Sequence, residues 1–251
     1  MQDTIQRVAE HLARARSALF ITGAGLSADS GLPTYRGAGG LYDQTETEEG
    51  LPIEVALSGD ALRSRPEICW KYIRRIEQAC RGATFNRGHE VIALLEQRLE
   101  RCCVLTQNVD GLHRAAGSTN VIEIHGDVHR LSCTGCNHRF RVADYSGLAE
   151  VPSCSRCGRL VRPEVVLFGE MLDPGRLEEL SRQLSLGFDM LFSVGTTSVF
   201  AYIAEPVYQV RAAGGITVEI NPGPTAVSDL VEFRFPAGAA PVLDSLYARL
   251  D

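Results

Sequence analysis

The sequence predicts an α/β fold built on a doubly wound parallel sheet, and three observations predict it. Short apolar runs at residues 18–22, 103–105, 121–124, 189–194 and 216–220 have the length of buried strands. Segments of helical periodicity fall between them, the alternation that closes into a parallel sheet. Several runs end in glycine or small polar residues, at Gly23, Gln107, His125 and Gly195. In open α/β sheets that carboxyl edge is where ligands bind.

A chain of 251 residues can bury one large core, or one core with a small appended module. With 45% hydrophobic and 22% charged residues it has an ordinary globular composition. The net charge of -6 gives no basic footprint for nucleic acid. No apolar run approaches the roughly 18 residues of a membrane span, and the first residues lack a signal-peptide core. These features predict a soluble, cytoplasmic protein without nucleic-acid or membrane partners. Eight cysteines in a chain of this length fit reduced thiols and a metal site better than a disulfide scaffold.

Ile5, Val8, Leu12 and Ala15 recur at helical spacing and predict a helix over residues 4–16. The strand at 18–22 runs into Gly23, Ala24, Gly25, Leu26 and Ser27, a glycine turn into a small-residue helix start. That arrangement lets backbone amides approach a phosphate, although a plain tight turn would read the same way. Residues 38–59 read as a mobile loop, and 60–80 as helix with Pro66 at a first-turn position. Tyr72 and Arg75 lie three apart and share a helix face. Spacing alone fits a packed aromatic beside a solvated arginine. Another helix precedes the strand at 103–105, and Gln107, Asn108 and Asp110 follow that strand as a dense polar cluster. The next strand delivers His125 and Gly126 to the same edge, and an imidazole there can take a proton near neutral pH.

Cys133, Cys136, Cys154 and Cys157 form two CxxC knuckles separated by 17 residues, the pattern of a closed tetrahedral zinc site. A set already filled by four thiolates makes the zinc structural. Cys69, Cys80, Cys102 and Cys103 read as buried or incidental thiols. Residues 160–170 form an apolar extended run on which a peptide could add as a strand. A helix over 174–186 follows, then the strand that ends in Gly195, Thr196 and Thr197. The strand at 216–220 ends in Asn221 and Gly223, 231–235 reads as a last strand, and a helix over 238–250 closes the chain.

The run TQNVDGLH, the later HG, and the stretch GAGLSADSGLPTYRG resemble the motifs of the sirtuins, NAD-dependent protein deacylases. The resemblance covers the chain from Gly23 to Asn221, with the motifs in the family's order. It implies an NAD site made of Gly23, Ala24, Gly25, Ser27, Tyr35, Arg36, Gln107, Asn108, Asp110, Gly195, Thr196, Thr197, Asn221 and Gly223. It implies that Asn108 and Asp110 hold the carboxamide and the ribose or water, and that His125 is the general base. The acyl oxygen of a modified lysine would attack the nicotinamide ribose, and His125 would then activate a ribose hydroxyl. The products would be free lysine, nicotinamide and O-acyl-ADP-ribose. Val165, Val166, Phe168 and Gly169 would line the substrate peptide, and acylated-lysine proteins or peptides would be the partners. One sirtuin subgroup, which removes succinyl and malonyl groups, carries Tyr-x-x-Arg with an alanine 16 residues upstream. Tyr72, Arg75 and Ala56 match it here. Tyr35, Leu167, Thr197 and Tyr202 stand where the family more often has Phe, Trp, Ser and, near Tyr202, Pro.

The implied architecture is an NAD-binding unit of residues 1–37, 91–127 and 165–251, with a small module of 38–90 and 128–164 carrying one zinc ion. A protein mono-ADP-ribosyltransferase using the same NAD site is the alternative. A non-catalytic NAD sensor is disfavoured because Asn108, Asp110 and His125 are all present. The oligomeric state is open, a monomer included.

Overall fold

The computed structural model describes residues 1–34 and 46–250. Tyr35, Arg36 and much of the loop expected over 38–59 lie outside the described residues.

The chain opens with α1, Gln2–Arg14, which buries the Ile5, Val8 and Leu12 stripe. Strand β1, Ser17–Thr22, is buried throughout and passes through the glycine turn into α2, Ala24–Ala28. Two short helices follow, α3 (Ile53–Ala56) and α4 (Gly59–Ser64), and then α5, Pro66–Cys80. Helix α6, Arg87–Arg98, leads into β2, Arg101–Thr106, α7, Leu112–Ala115, and β3, Val121–Glu123. Next come β4 (Gly126–Cys133), β5 (Arg139–Arg141) and β6 (Val161–Val165). The remainder alternates: α8 (Pro174–Ser185), β7 (Met190–Val194), α9 (Ala201–Ala212), β8 (Ile216–Ile220), β9 (Phe233–Phe235) and α10 (Ala239–Tyr247).

Six strands pair in the order β3-β2-β1-β7-β8-β9, every pair parallel. The chain winds outward in both directions from β1, which is the predicted doubly wound sheet. Strand alternation sends Ala18 and Phe20 into the apolar cluster that holds α1, α6 and α10. Leu19 and Ile21 go to the opposite cluster, with α8 and α9. Phe20 and Phe192 stack on neighbouring strands, their ring centroids 4.8 Å apart. Covered on both faces, these strands read as unbroken apolar runs.

A second sheet, β5-β4-β6, is antiparallel. It packs with α3, α4 and α5 around Trp70 and Tyr145. The Trp70 indole donates to the Val161 carbonyl at 3.1 Å, which ties α5 to β6.

Three features depart from expectation. Residues 53–56 are helical within the predicted loop, and the helix predicted over 60–80 is two, α4 and α5, divided at Arg65; Ser58 caps α4 by accepting from the Ala61 amide at 3.0 Å. Helix α9 has no counterpart in the sequence prediction, because Pro206 lies inside it and its exposed face interrupts the apolar period. The strands β4 and β5 lie where the sequence predicts only a cysteine ribbon, and short half-exposed strands carry no apolar run. Among the described residues no helix is long and apolar enough to cross a membrane.

Candidate active site

The ends of β1 and β7 meet through glycines. The Gly23 amide donates to Val194, the Gly25 amide to Gly195, and the Gly195 amide to Ile220 on β8, all at 2.9–3.0 Å. A Cβ on Gly25 would lie 2.6 Å from the Gly195 Cα, and one on Gly195, whose φ is +59°, would lie 2.4 Å from the Leu26 nitrogen. These glycines let two backbones touch, which brings Ala24 and Ser27 to the end of β2.

There the polar cluster predicted from the sequence assembles into one chain of hydrogen bonds. Asn108 Nδ2 donates to Ser27 Oγ at 3.1 Å and to the Gly23 carbonyl at 3.0 Å. Ser27 Oγ in turn donates to Asp110 Oδ2 at 2.7 Å. Burial raises the Asp110 carboxyl above its ordinary range, against the Leu112 amide and the Ser27 hydroxyl, which favour the charged form. Gln107 Nε2 donates to Thr196 Oγ1 at 2.8 Å and so links β2 to β7. Ala24, Ser27, Leu32, Ile76, Asn108 and Asp110 line a cleft here. Thr197 lies exposed beyond Thr196, with its carbonyl accepting from the Ala226 amide at 3.1 Å. At the end of β8, Asn221 Nδ2 donates to the Gly223 carbonyl at 2.9 Å. The set spans the carboxyl edge from β2 to β8, as a dinucleotide would.

His125 follows β3. Its Nδ1 lies 3.0 Å from the Gln107 carbonyl, an acceptor only, so Nδ1 carries the proton and Nε2 presents the lone pair. Burial lowers the imidazole pKa, the Gln107 carbonyl opposes that, and the charge of Arg176 adds to it. The ring is therefore neutral near pH 7, as a base must be. Nε2 meets Tyr202 Oη at 2.7 Å. No sequence pattern signals that contact, because Tyr202 lies 77 residues away on the unexpected helix.

Gly126 has φ +96°, and a Cβ there would lie 1.8 Å from the Glu164 carbonyl oxygen. Only glycine lets β6 pass, pairing Val165 with Gly126 while the Val166 amide donates to the His125 carbonyl at 2.9 Å. Phe168 is tied to the link between α3 and α4. Its amide donates to Leu57 at 3.0 Å, and its carbonyl accepts from Gly59 at 3.1 Å. Gly169, at φ +78°, turns the chain away. The expected peptide segment is thus fixed between His125 and the link that follows Ala56.

Tyr72 is buried on α5, and the Arg75 guanidinium lies 4.9 Å from its ring centroid. Both meet carboxylates of the chain. The Tyr72 hydroxyl donates to Glu49, and Arg75 pairs with Glu48. Lys71 contacts both carboxylates, reaching Glu48 at 2.8 Å. Lys71 first and Tyr72 second push the Glu49 carboxyl down to about 2.

All four Sγ atoms of Cys133, Cys136, Cys154 and Cys157 lie within 4.8 Å of one another. The pairs Cys133–Cys157 and Cys136–Cys154 are 3.4 and 3.8 Å apart. Zinc–sulfur bonds of about 2.3 Å give tetrahedral edges of roughly 3.8 Å, so the donors fit one zinc ion. Backbone amides of Gly135 and Arg156 point at Cys133 and Cys154, at 3.2 and 3.4 Å, the usual support for a thiolate knuckle. The other four cysteines lie away from this cluster, and burial raises their thiols.

A doubly wound parallel sheet with a polar site on its carboxyl edge and a four-cysteine ribbon beside it defines a dinucleotide-using α/β enzyme with a structural zinc. The chain belongs to the Sir2 family, whose family model matches residues 23–201. It is 48% identical to the NAD-dependent protein deacylase 2 of Pseudomonas aeruginosa, over 98% of this chain and 97% of that protein. A solved Sir2 homologue–NAD complex is 34% identical, covers 97% of this chain and 93% of its own, and superposes with a TM-score of 0.87. A Sir2 complex with a deacetylated peptide and 3′-O-acetyl ADP-ribose is 28% identical, covers 97% of each chain and gives a TM-score of 0.86.

Proposed function

We propose that this chain, an NAD-dependent protein deacylase, removes acyl groups from protein lysine side chains and accepts the acidic acyl groups succinyl and malonyl beside acetyl. When bound, NAD supplies the ADP-ribosyl group that receives the acyl. Gly23, Ala24, Gly25, Ser27, Gln107, Thr196, Thr197, Asn221 and Gly223 hold it along the carboxyl edge, with Tyr35 and Arg36 at the nicotinamide end. Asn108 and Asp110 orient the ribose and the carboxamide, and neutral His125 takes a ribose hydroxyl proton at Nε2. Val165, Val166, Phe168 and Gly169 seat the acylated-lysine peptide. The zinc ion ties the ribbon together within the small module, residues 38–90 and 128–164, which accompanies the unit of 1–37, 91–127 and 165–251. We place the activity in the cytoplasm.

One observation carries the acidic-acyl reading: the donors of Tyr72 and Arg75 are already engaged by carboxylates, those of Glu49 and Glu48. A planar guanidinium beside a phenol suits the carboxylate of a succinyl-lysine, with Ala56 leaving room for it. The test is NAD-dependent release of acetyl and succinyl groups from matched lysine peptides by the wild type and Arg75→Ala. A charge-assisted contact of about 1.5–3 kcal/mol predicts a roughly ten- to hundredfold loss of desuccinylation, with deacetylation within about twofold. Deacetylation alone, indifferent to Arg75, would leave Tyr72 and Arg75 as packing on α5.

A further inference from the structure

The lone pair that makes His125 a base is already engaged. Its Nδ1 is protonated toward the Gln107 carbonyl, so at 2.7 Å the Tyr202 hydroxyl must donate to Nε2. Several features build this contact. Ser198, the one non-glycine residue with positive φ among the described residues, at 54°, turns the chain after β7 toward α9. Tyr202 lies in the first turn of that helix. Phe200 stacks on the Tyr202 ring at 5.5 Å and meets the His125 ring edge-on at 6.4 Å. The groups that face His125 are thus Tyr202 and Phe200, the Gln107 carbonyl and, through its charge, Arg176 of α8. On its other side Tyr202 borders a groove of about 310 Å³ between α8 and α9, with Leu177, Leu184 and Pro206.

We propose that Tyr202 is the positioning residue of the base: with the Gln107 carbonyl it fixes the ring and tautomer of His125, and it holds Nε2 until the ribose hydroxyl takes its place. This rests on His125 being the general base. In the exchange the Tyr202 O–H keeps its proton and swings toward the groove. The ribose O–H then donates to the freed Nε2, which takes that proton when the hydroxyl attacks.

The hydroxyl donates to the neutral imidazole and, turned, accepts from the imidazolium in a charge-assisted bond that is the stronger of the two, so removing it lowers the pKa of His125 in the free enzyme. Tyr202→Phe keeps the ring and the Phe200 stack and removes only the donor. Expected is a fall of about half a unit to one unit, the size of one hydrogen bond, in the acid limb of kcat/KM, which reports the free enzyme. The acid limb of kcat stays in place, because there the ribose hydroxyl holds Nε2. NMR titration of the His125 imidazole in the protein without NAD shows the same fall, independently of turnover.

A lowered rate with neither the kcat/KM limb nor the NMR titration moved would reduce Tyr202 to packing and overturn the proposal, as would a shift to higher pH. Should Tyr202→Phe not fold, Tyr202→Leu is titrated by NMR under the same criteria. Failure of the underlying reading is separate: His125→Ala retaining full deacylation would remove the base itself, whatever Tyr202→Phe shows.

Discussion

Gly126 shows how one residue places the edge that carries His125 against β6. Its φ is +96°, and the Glu164 carbonyl oxygen lies 1.8 Å from where a methyl group would sit, so Gly126→Ala strains the backbone and forces β6 away from β4. The left-handed conformation alone costs about 1–3 kcal/mol for a non-glycine residue. A lowered denaturant midpoint is expected, together with a loss of peptide affinity larger than any loss of ADP-ribose affinity, since β6 leads into the segment proposed to seat the peptide. A wild-type midpoint would mean that β6 shifts freely. The motif HG is readable in the chain, whereas the reason for its glycine is not, because Glu164 lies far away in sequence. Tyr202 is the converse case: in sequence it is a departure from a family loop, and its contact with His125 depends on where α9 begins.

At the scale of elements, the ribbon and α5 depend on each other. Trp70 on α5 is the single tryptophan of the sequence and donates to the Val161 carbonyl inside the cluster shared with the ribbon. Its fluorescence therefore reports the docking of the zinc module. Cys157→Ser leaves three thiolates, and bound zinc should fall from one per chain to a small fraction. The Trp70 emission should shift to the red while far-UV circular dichroism keeps most of its amplitude, since the six-stranded sheet has its own two apolar clusters. Unchanged emission after zinc loss would show that α5 holds the ribbon strands without metal. The knuckles are legible because four thiolates at this spacing have few other uses. The helix α9 is not, because Pro206 and a polar face hide its period.

For the whole molecule, pH sets stability through two buried histidines. His89 and His113 meet edge-on at 4.9 Å, and His89 Nε2 and His113 Nδ1 have no hydrogen-bond partner among the described residues. Burial lowers the His89 pKa to about 4 and pushes His113 well below its ordinary value. The folded state keeps both rings neutral, whereas the unfolded chain takes up protons near pH 6.5, so acid favours unfolding. Stability is full above about pH 6.5 and is lost as the pH falls toward 4. His89→Gln keeps an acceptor for the Asn86 amide in the cap of α6 and removes one titrating ring. Its urea midpoint should fall less steeply between pH 6.5 and 5 than that of the wild type. Thiolate protonation in the ribbon acts alike on both proteins, so the difference isolates His89. Parallel curves would refute the assignment.

The sequence by itself determined the parallel sheet, the edge where polar residues collect and the pairing of the four clustered cysteines. Each rests on local pattern: apolar runs of strand length, glycine and amide residues at their ends, and paired cysteines at fixed spacing. Tertiary structure decided what those residues touch. It joined Ser27 to Asn108 and Asp110, set Glu48 and Glu49 on Arg75 and Tyr72, and brought Tyr202 to the lone pair of His125. Those contacts cross tens of residues and depend on strand order and helix placement, which no short stretch of sequence encodes.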